Sequence, residues 1–179
     1  NCTAVGGGAV GGSPYYGDYG AESGELPARG ELGVVSGCDF TDCAATGTSS
    51  GDRQGGGAVE GPFWIENSSF KSCTAATLAS AVFANQHLMI TNCTFEGCAS
   101  PTANTKRGVI WEGNPNAVLA IVDCTFTGIT ADPILGKENS VVFVERCVFD
   151  DCAGETATTS DNECHQIFFN GRGAGRNCL

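Results

Sequence analysis

A nine-residue pattern of apolar and polar positions recurs five times along the chain. Each copy has an aliphatic residue, two spacers, usually Cys, one spacer, Phe, two spacers and usually Cys. The copies are VSGCDFTDC, IENSSFKSC, ITNCTFEGC, IVDCTFTGI and VERCVFDDC, and they start at Val35, Ile65, Ile90, Ile121 and Val144. Their phenylalanines lie 30, 25, 31 and 23 residues apart. Such a period is typical of stacked supersecondary units, so the pattern predicts a solenoid rather than one globular core.

The third copy indicates the local structure. Alternate residues of a strand face the same way, so Leu88 and Ile90 point inward. Asn92 interrupts the alternation, and Cys93 and Phe95 resume the inward face. The interrupting position of the other copies holds Gly37, Asn67, Asp123 and Arg146. Because Gly, Asn and Asp tolerate a left-handed backbone, four of the five copies suit a sharp bend there.

A second apolar segment precedes four of the copies, at 57–59, 81–83, 109–111 and 134–135. Three short strands in every 23 to 31 residues make one coil of a right-handed parallel β-helix. We therefore predict an all-β chain of about five to six coils in one domain. Its parts are a first coil with a long Gly- and Tyr-rich loop at 1–32, repeated coils at 33–170 and a partial coil at 171–179.

The strand–Asn–Cys–x–Phe phrase resembles that of right-handed β-helix proteins of the pectin-lyase-like superfamily. The Gly-Gly-Ala-Val runs at 7–10 and 56–59, together with Phe-x-x-Cys, are similar to repeats of polymorphic outer-membrane adhesins. Those repeats read Gly-Gly-Ala-Ile and Phe-x-x-Asn, so this chain has Cys where they have Asn. The resemblance covers about residues 33–170 and implies the fold. It implies no single activity, because this superfold hosts lyases, hydrolases, adhesins and fibre proteins.

Stacked copies align two columns of cysteines, with neighbours about 4.8 Å apart. The first column holds Cys38, Cys93, Cys124 and Cys147, with Ser68 in its gap. The second holds Cys43, Cys73, Cys98 and Cys152, with Ile129 in its gap. This spacing falls within the Cα–Cα range of a disulfide. We therefore predict disulfide bonds between neighbouring coils, such as Cys93–Cys124 and Cys43–Cys73. Cys164 and Cys178 are further disulfide candidates; alternatively, some of these residues are buried free thiols that act as small hydrophobes.

The cysteines and the sequons indicate a secreted protein, extracellular or at the cell surface. Eleven cysteines without a CxxC pair favour disulfides in an oxidising compartment over zinc or redox catalysis. Asn1, Asn67 and Asn92 each begin an Asn-x-Ser/Thr sequon, so we expect N-linked glycans there. The odd cysteine count leaves at least one thiol free or bonded to another chain.

The charge and the hydropathy of the chain restrict its partners. Twenty carboxylates against nine Lys and Arg give a net charge of −11, which disfavours nucleic acid. No run of 18 apolar residues exists, so no membrane span is predicted. We predict no bound cofactor. The negative net charge would suit calcium as a partner, but the sequence shows no cluster of residues that would bind it.

The sequence contains no convincing catalytic or metal site. The best acidic candidates are Asp150 and Asp151, with Asp39, Asp42, Glu96 and Asp123 on neighbouring coils. Polygalacturonase-like enzymes pair such an Asp-Asp with Asn-Thr-Asp, Gly-His-Gly and Arg-Ile-Lys elements, and those are missing here. Neither His87 nor His165 has a partner at ligand spacing. We therefore interpret Asp150 and Asp151 as a solvated turn.

The termini suggest how the coils are used. The phrases Asn1-Cys2-Thr3 and Asn177-Cys178-Leu179 both match Asn92-Cys93-Thr94, so we expect both ends at the same point of the coil. The chain is then either a slice of a longer β-helix, processed or partial, or a unit that stacks on copies of itself. Candidate intersubunit residues are Cys2, Cys178, Tyr15, Tyr16 and Tyr19.

The predicted function is that of an extracellular structural glycoprotein. We expect a subunit or segment of a β-helical fibre or surface coat that associates with itself head to tail. The first alternative is an adhesin or carbohydrate-binding module with glycans as its partners. A polysaccharide lyase or hydrolase is the least favoured alternative, because it rests on fold analogy alone.

Overall fold

The computed structural model describes residues 3–4, 8–11, 28, 31–47, 55–76, 79–84, 86–99, 108–113, 117–130, 132–136, 140–152, 167–169 and 172–179. All the regular elements named within these residues are β-strands, and all of their pairings are parallel. The strands form four sheets.

Sheets 1 and 2 contain the repeated phrase. Sheet 1 consists of β3 (Gly33–Ser36), β7 (Phe63–Glu66), β11 (Leu88–Thr91), β14 (Val118–Val122), β17 (Val141–Glu145) and β20 (Arg172–Arg176). Sheet 2 consists of β4 (Asp39–Thr41), β8 (Ser69–Lys71), β12 (Thr94–Glu96), β15 (Thr125–Thr127) and β18 (Val148–Asp150).

Sheets 3 and 4 complete the coil. Sheet 3 consists of β1 (Thr3–Ala4), β5 (Ala44–Ala45) and β9 (Thr74–Ala75). Sheet 4 consists of β2 (Val10–Gly11), β6 (Val59–Glu60), β10 (Val82–Ala84), β13 (Gly108–Glu112), β16 (Asp132–Gly136) and β19 (Ile167–Phe169).

The chain visits the sheets in a fixed order. From sheet 1 it passes to sheet 2, then to sheet 4, and it returns to sheet 1 one coil later. Strands β5 and β9 of sheet 3 lie between sheets 2 and 4 in their coils, whereas β12, β15 and β18 are followed directly by strands of sheet 4. Each strand pairs with its equivalents in the coils before and after it, so Ile90 pairs with Ile65 and with Ile121. The six strands of sheet 1 mark six coils. The predicted all-β parallel β-helix of five to six coils is therefore confirmed.

Two columns of apolar side chains fill the core. Ile65, Ile90 and Ile121 of sheet 1 are fully buried, as the alternation predicts. On sheet 2 the phenylalanines of the five copies stack face to face, with ring centroids 4.7 to 5.0 Å apart. This distance is the spacing of neighbouring coils, because the register places equivalent residues directly above one another.

Each coil turns a corner on either side of sheet 2 with one left-handed residue. At the first corner φ lies between 50° and 63° for Gly37, Asn67, Asn92, Asp123 and Arg146. At the second corner φ lies between 49° and 62° for Asp42, Ser72, Gly97, Gly128 and Asp151. The predicted bend at the first corner is thus confirmed.

The expectation that the two terminal phrases lie at the same point of the coil is wrong. Thr3 pairs with Ala44, which follows the second corner. Leu179 instead donates its N–H to the carbonyl of Cys147, and its own carbonyl accepts from Phe149, so this phrase follows the first corner. Both corners place a left-handed residue directly before a cysteine column, and the same short phrase therefore suits either of them.

Candidate functional site

The corners on either side of sheet 2 hold most of the residues that the sequence marked as candidates. The first corner carries the sequon asparagines and one cysteine column, and the second carries the other column and the paired aspartates. A left-handed residue turns the backbone sharply and is followed at once by an inward-pointing small side chain.

The inward cysteine thiols act as hydrogen-bond donors at both corners. Seven of them donate to the carbonyl two residues earlier, at 3.2 to 3.7 Å. Ser68 occupies the gap in the first column, and its hydroxyl makes the same bond, to the carbonyl of Glu66 at 2.8 Å. The Ser68 Oγ also accepts the backbone N–H of Cys38 at 3.1 Å.

Neighbouring thiols also contact each other along each column. Interaction with the Cys147 and Cys93 thiols, together with burial, raises the pKa of Cys124 above that of an ordinary cysteine. Interaction with the Cys98 thiol, together with burial, raises the pKa of Cys73. A raised pKa keeps these groups as neutral thiols at neutral pH, and the thiol is the unreactive form of cysteine.

The structure has free thiols at Cys38, Cys73, Cys93, Cys98, Cys124 and Cys147. The disulfide bonds Cys93–Cys124 and Cys43–Cys73 therefore stay a prediction. Both pairs do lie side by side in their columns, as the copies predicted. Cys2 and Cys164 lie outside the described residues, as do Asn1, His165 and the tyrosines at 15, 16 and 19.

The two internal sequon asparagines lie next to each other on an exposed ridge at the first corner. The Asn92 side-chain amide donates to Asn67 Oδ1 at 2.8 Å. One coil further along, the Arg146 guanidinium forms two hydrogen bonds with Asp123, at 2.6 and 2.8 Å, and lowers the pKa of that carboxyl. N-glycosylation at Asn67 and Asn92 stays a prediction.

The acidic candidates do not converge on one place. Glu96 is paired with Lys71 at 2.7 Å, and Asp39 accepts a hydrogen bond from Ser69. Asp150 and Asp151 are exposed on β18 and at its following corner. No group of three His, Cys, Asp or Glu residues within the described part of the chain could hold a metal ion. His87 uses its Nδ1 to accept the backbone N–H of Val118 at 3.0 Å, which is a structural role.

Sequence reasoning missed a buried carboxyl group on sheet 4. Glu60 is only 9% exposed, and burial raises its pKa to about 7. It stands in an outward position of β6, yet its neighbour Phe83 is buried as well, and so is Leu135 further along the same column. The unbroken apolar run at 81–84 was the available signal, because strands covered on both faces lack alternation.

Sequence reasoning also missed an apolar stripe on the outer face of sheet 1. Val34, Trp64, Met89, Ala120 and Phe143 form one outward column, paired coil by coil. Val34 is 44% exposed and Phe143 is 39% exposed, at opposite ends of the stripe. Trp64 Nε1 has no hydrogen-bond partner among the described residues. The outward side chains of sheet 2 are mostly polar by contrast.

The described residues contain no helix long and apolar enough to cross a membrane.

Comparison with known proteins identifies the family. A family model described as a right-handed beta helix region matches residues 25–175. The comparisons with curated proteins and with solved structures gave no match. Because the family model covers most of the chain and its fold agrees with the stacked parallel sheets, this chain belongs to the right-handed beta helix family.

Proposed function

We propose that the chain is a subunit or segment of an extracellular β-helical fibre or surface coat, glycosylated and assembled head to tail. The observation that carries the proposal is the exposure of β20, the last strand of sheet 1. Gly175 of β20 pairs with Val144, a residue that points into the core. Gly175 itself is exposed. No heavy atom of the described residues lies within 4 Å of where a side chain at Gly175 would begin. A further coil could therefore stack there.

The edges of the sheets support the same proposal. Among the described strands, β3 and β20 each have a partner on one side only. An open parallel edge is a template for strand addition, and solenoids normally cover such edges with a cap. Addition of a strand from another subunit would continue sheet 1 without a break. A head-to-tail contact that does not close into a ring produces a filament.

Electron microscopy and sedimentation of the purified chain at rising concentration test the proposal. Six coils predict an axial repeat of roughly 30 Å per subunit. A Gly175→Glu variant places a charge where the next coil would pack, and we expect it to remain monomeric. Thr125→Glu adds the same charge on the outer face of β15, leaves both internal sequons intact, and should assemble like the parent chain. A parent chain that stays monomeric at high concentration would contradict the proposal.

The apolar stripe of sheet 1 favours a second candidate, an adhesin or carbohydrate-binding module. Aromatic side chains that are partly exposed on a flat face are enriched at recognition surfaces. Binding of the isolated chain to a glycan array, abolished by Phe143→Ser but not by Thr127→Ser on sheet 2, would favour this candidate over the fibre.

A further inference from the structure

Both cysteine columns contain neighbouring buried thiols. Those of the first column are Cys93, Cys124 and Cys147, and those of the second column include Cys73 and Cys98. Each of these five is at most 1% exposed. Nothing in the proposed function uses these groups, and either disulfides or free thiols would agree with the sequence.

We propose that these five buried thiols stay unbridged in the folded protein and serve as hydrogen-bond donors that close the corners. The β-helix would then fold to the same structure under reducing and oxidising conditions. This goes beyond the proposed function, because it states what holds the corners together whether or not the chain assembles.

The first argument is the hydrogen bonding of the thiols. The Cys124 thiol donates to the carbonyl of Val122 at 3.2 Å and also contacts the carbonyl of Ile90, in the preceding coil, at 3.8 Å. Cys93 and Cys147 repeat both contacts with the equivalent residues. Each thiol is thus placed to link its own corner to the coil before it.

The second argument is the natural substitution at Ser68. Serine cannot form a disulfide, yet Ser68 is buried in the same column and donates to the equivalent carbonyl, that of Glu66. The register on either side of it, at Glu66 and Ser69, is the same as in the cysteine-containing coils. In this column the position therefore accepts a small side chain that donates a hydrogen bond, with or without sulfur.

The third argument is the spacing of the coils. Equivalent residues point the same way in an in-register parallel stack, so their Cβ atoms are separated by about the same distance as the coils. Ring centroids in the neighbouring phenylalanine stack give this spacing as 4.7 to 5.0 Å. Disulfides prefer Cβ–Cβ distances of roughly 3.5 to 4.5 Å. A bridge would have to draw two coils together against a close-packed core.

The fourth argument is what a bridge would remove. Oxidation of Cys93 and Cys124 by a disulfide such as oxidised glutathione forms one S–S bond and reduces the oxidant to two thiols. The protein thereby loses two S–H donors, and the carbonyls of Thr91 and Val122 lose one hydrogen bond each.

A thiol count tests the proposal. A Cys2→Ser/Cys164→Ala double variant retains the nine cysteines of the described residues. The variant is secreted from a eukaryotic host, exposed to oxidised glutathione, then denatured and alkylated without reductant. We expect peptide mass spectrometry to find all five of these buried cysteines alkylated. A bridge that involves any of the five would overturn the proposal, whereas bridges confined to Cys38, Cys43, Cys152 and Cys178 would leave it standing.

Substitutions in the column provide a second test that does not depend on oxidation. Cys124→Ser retains a donor and Cys124→Ala removes it, so we expect the thermal midpoint to fall less for Ser than for Ala. Ser68→Cys should be tolerated and should add one alkylated thiol. Equal losses for Ser and Ala would contradict the role of the thiol as a donor.

Discussion

Left-handed residues at the corners determine where each coil turns. The first corner uses Asn67 and Asn92, whose short polar side chains tolerate this backbone, but it also uses Arg146. Arg146 gains a two-point contact with Asp123 at the same corner, which offsets part of the conformational cost. At the second corner, Gly97 and Gly128 adopt the left-handed conformation without that cost.

Substitution of Gly128 isolates the cost of the left-handed backbone. Gly128 has a φ of 62°, and no described atom lies within 4 Å of where its Cβ would be. We expect Gly128→Ala to lower the free energy of unfolding by about 1–2 kcal/mol, because only the backbone conformation opposes the new methyl group. Gly128→Asn should cost less. Gly11→Ala is the matched control, since Gly11 also has open space but no positive φ. Urea denaturation measures the differences, and equal effects at the two glycines would contradict this account.

Glu60 makes the stability of the chain depend on pH. Its pKa is about 7 in the folded protein against 4.5 for an ordinary glutamate, because burial disfavours the charged form. The folded state therefore holds a proton that the unfolded state releases between pH 4.5 and pH 7. Stability contributed by this group is present below pH 4.5 and is lost as the pH rises towards and through 7.

Replacing Glu60 with Gln removes this dependence. We expect Glu60→Gln to match the parent chain near pH 4 and to be more stable than it at pH 8. Thermal midpoints measured across this range, as the difference between the two proteins, cancel the contributions of all other carboxyl groups. A Glu96→Gln variant serves as the exposed control and should not show the same rise. A difference that is flat from pH 4 to pH 8 would mean that Glu60 is hydrated.

At the scale of elements, the stacked phenylalanines of sheet 2 are the most regular feature of the core. Phe95 and Phe126 each contact a ring above and a ring below, with planes within 7° of parallel. Phe149 contacts only Phe126 among the described aromatic residues, and it is partly buried. The strands of sheet 2 are three residues long, so this one inward residue carries most of their packing.

The contribution of the stack can be measured by comparing its interior with its end. Phe126→Leu loses two ring contacts and Phe149→Leu loses one. At about 0.5–1.5 kcal/mol for each contact beyond the buried area, we expect the interior variant to be roughly twice as destabilised. Chemical denaturation of both variants tests this. A larger loss at Phe149 would indicate that the end coil, rather than the stack, limits the stability.

The repeated phrase was sufficient to predict the inward columns and the first corner. Each position of the phrase has the same structural role in every coil, and therefore the same kind of residue recurs there. Ile90, Asn92 and Phe95 have equivalents one coil away, so five copies act as five independent observations. Sheet 4 was predicted only in part. Glu60, Phe83 and Leu135 of its outward column are buried, and the sequence around Glu60 therefore carries no contrast between its two faces.

The position of the ends could not be derived from the phrase. Asn-Cys satisfies either corner, and only the strand pairing of Thr3 and the contacts of Leu179 distinguish the two. The outer stripe from Val34 to Phe143 also escaped prediction, because single apolar residues at outward positions are ordinary in any one coil. Their alignment becomes visible only when the register is known.

At the scale of the whole molecule, the net charge of −11 opposes the proposed assembly. Head-to-tail stacking brings copies with the same charge to within one coil spacing, so electrostatic repulsion should set the concentration at which filaments appear. Salt weakens this repulsion, since the screening length falls from about 10 Å at 0.1 M to about 3 Å at 1 M. The packing of one coil on the next is apolar and backbone hydrogen-bonded, and it is little affected by salt.

We therefore expect the critical concentration for assembly to fall steadily as sodium chloride is raised from 0.05 to 1 M, a range over which the screening length shortens several-fold. Light scattering together with electron microscopy would record it. Gly175→Glu should remain monomeric across the range, because salt screens the added charge but leaves the bulk of the side chain in the path of the next coil. If assembly instead weakens with salt, ion pairs rather than strand stacking hold the junction, and the edge of β20 is not the contact.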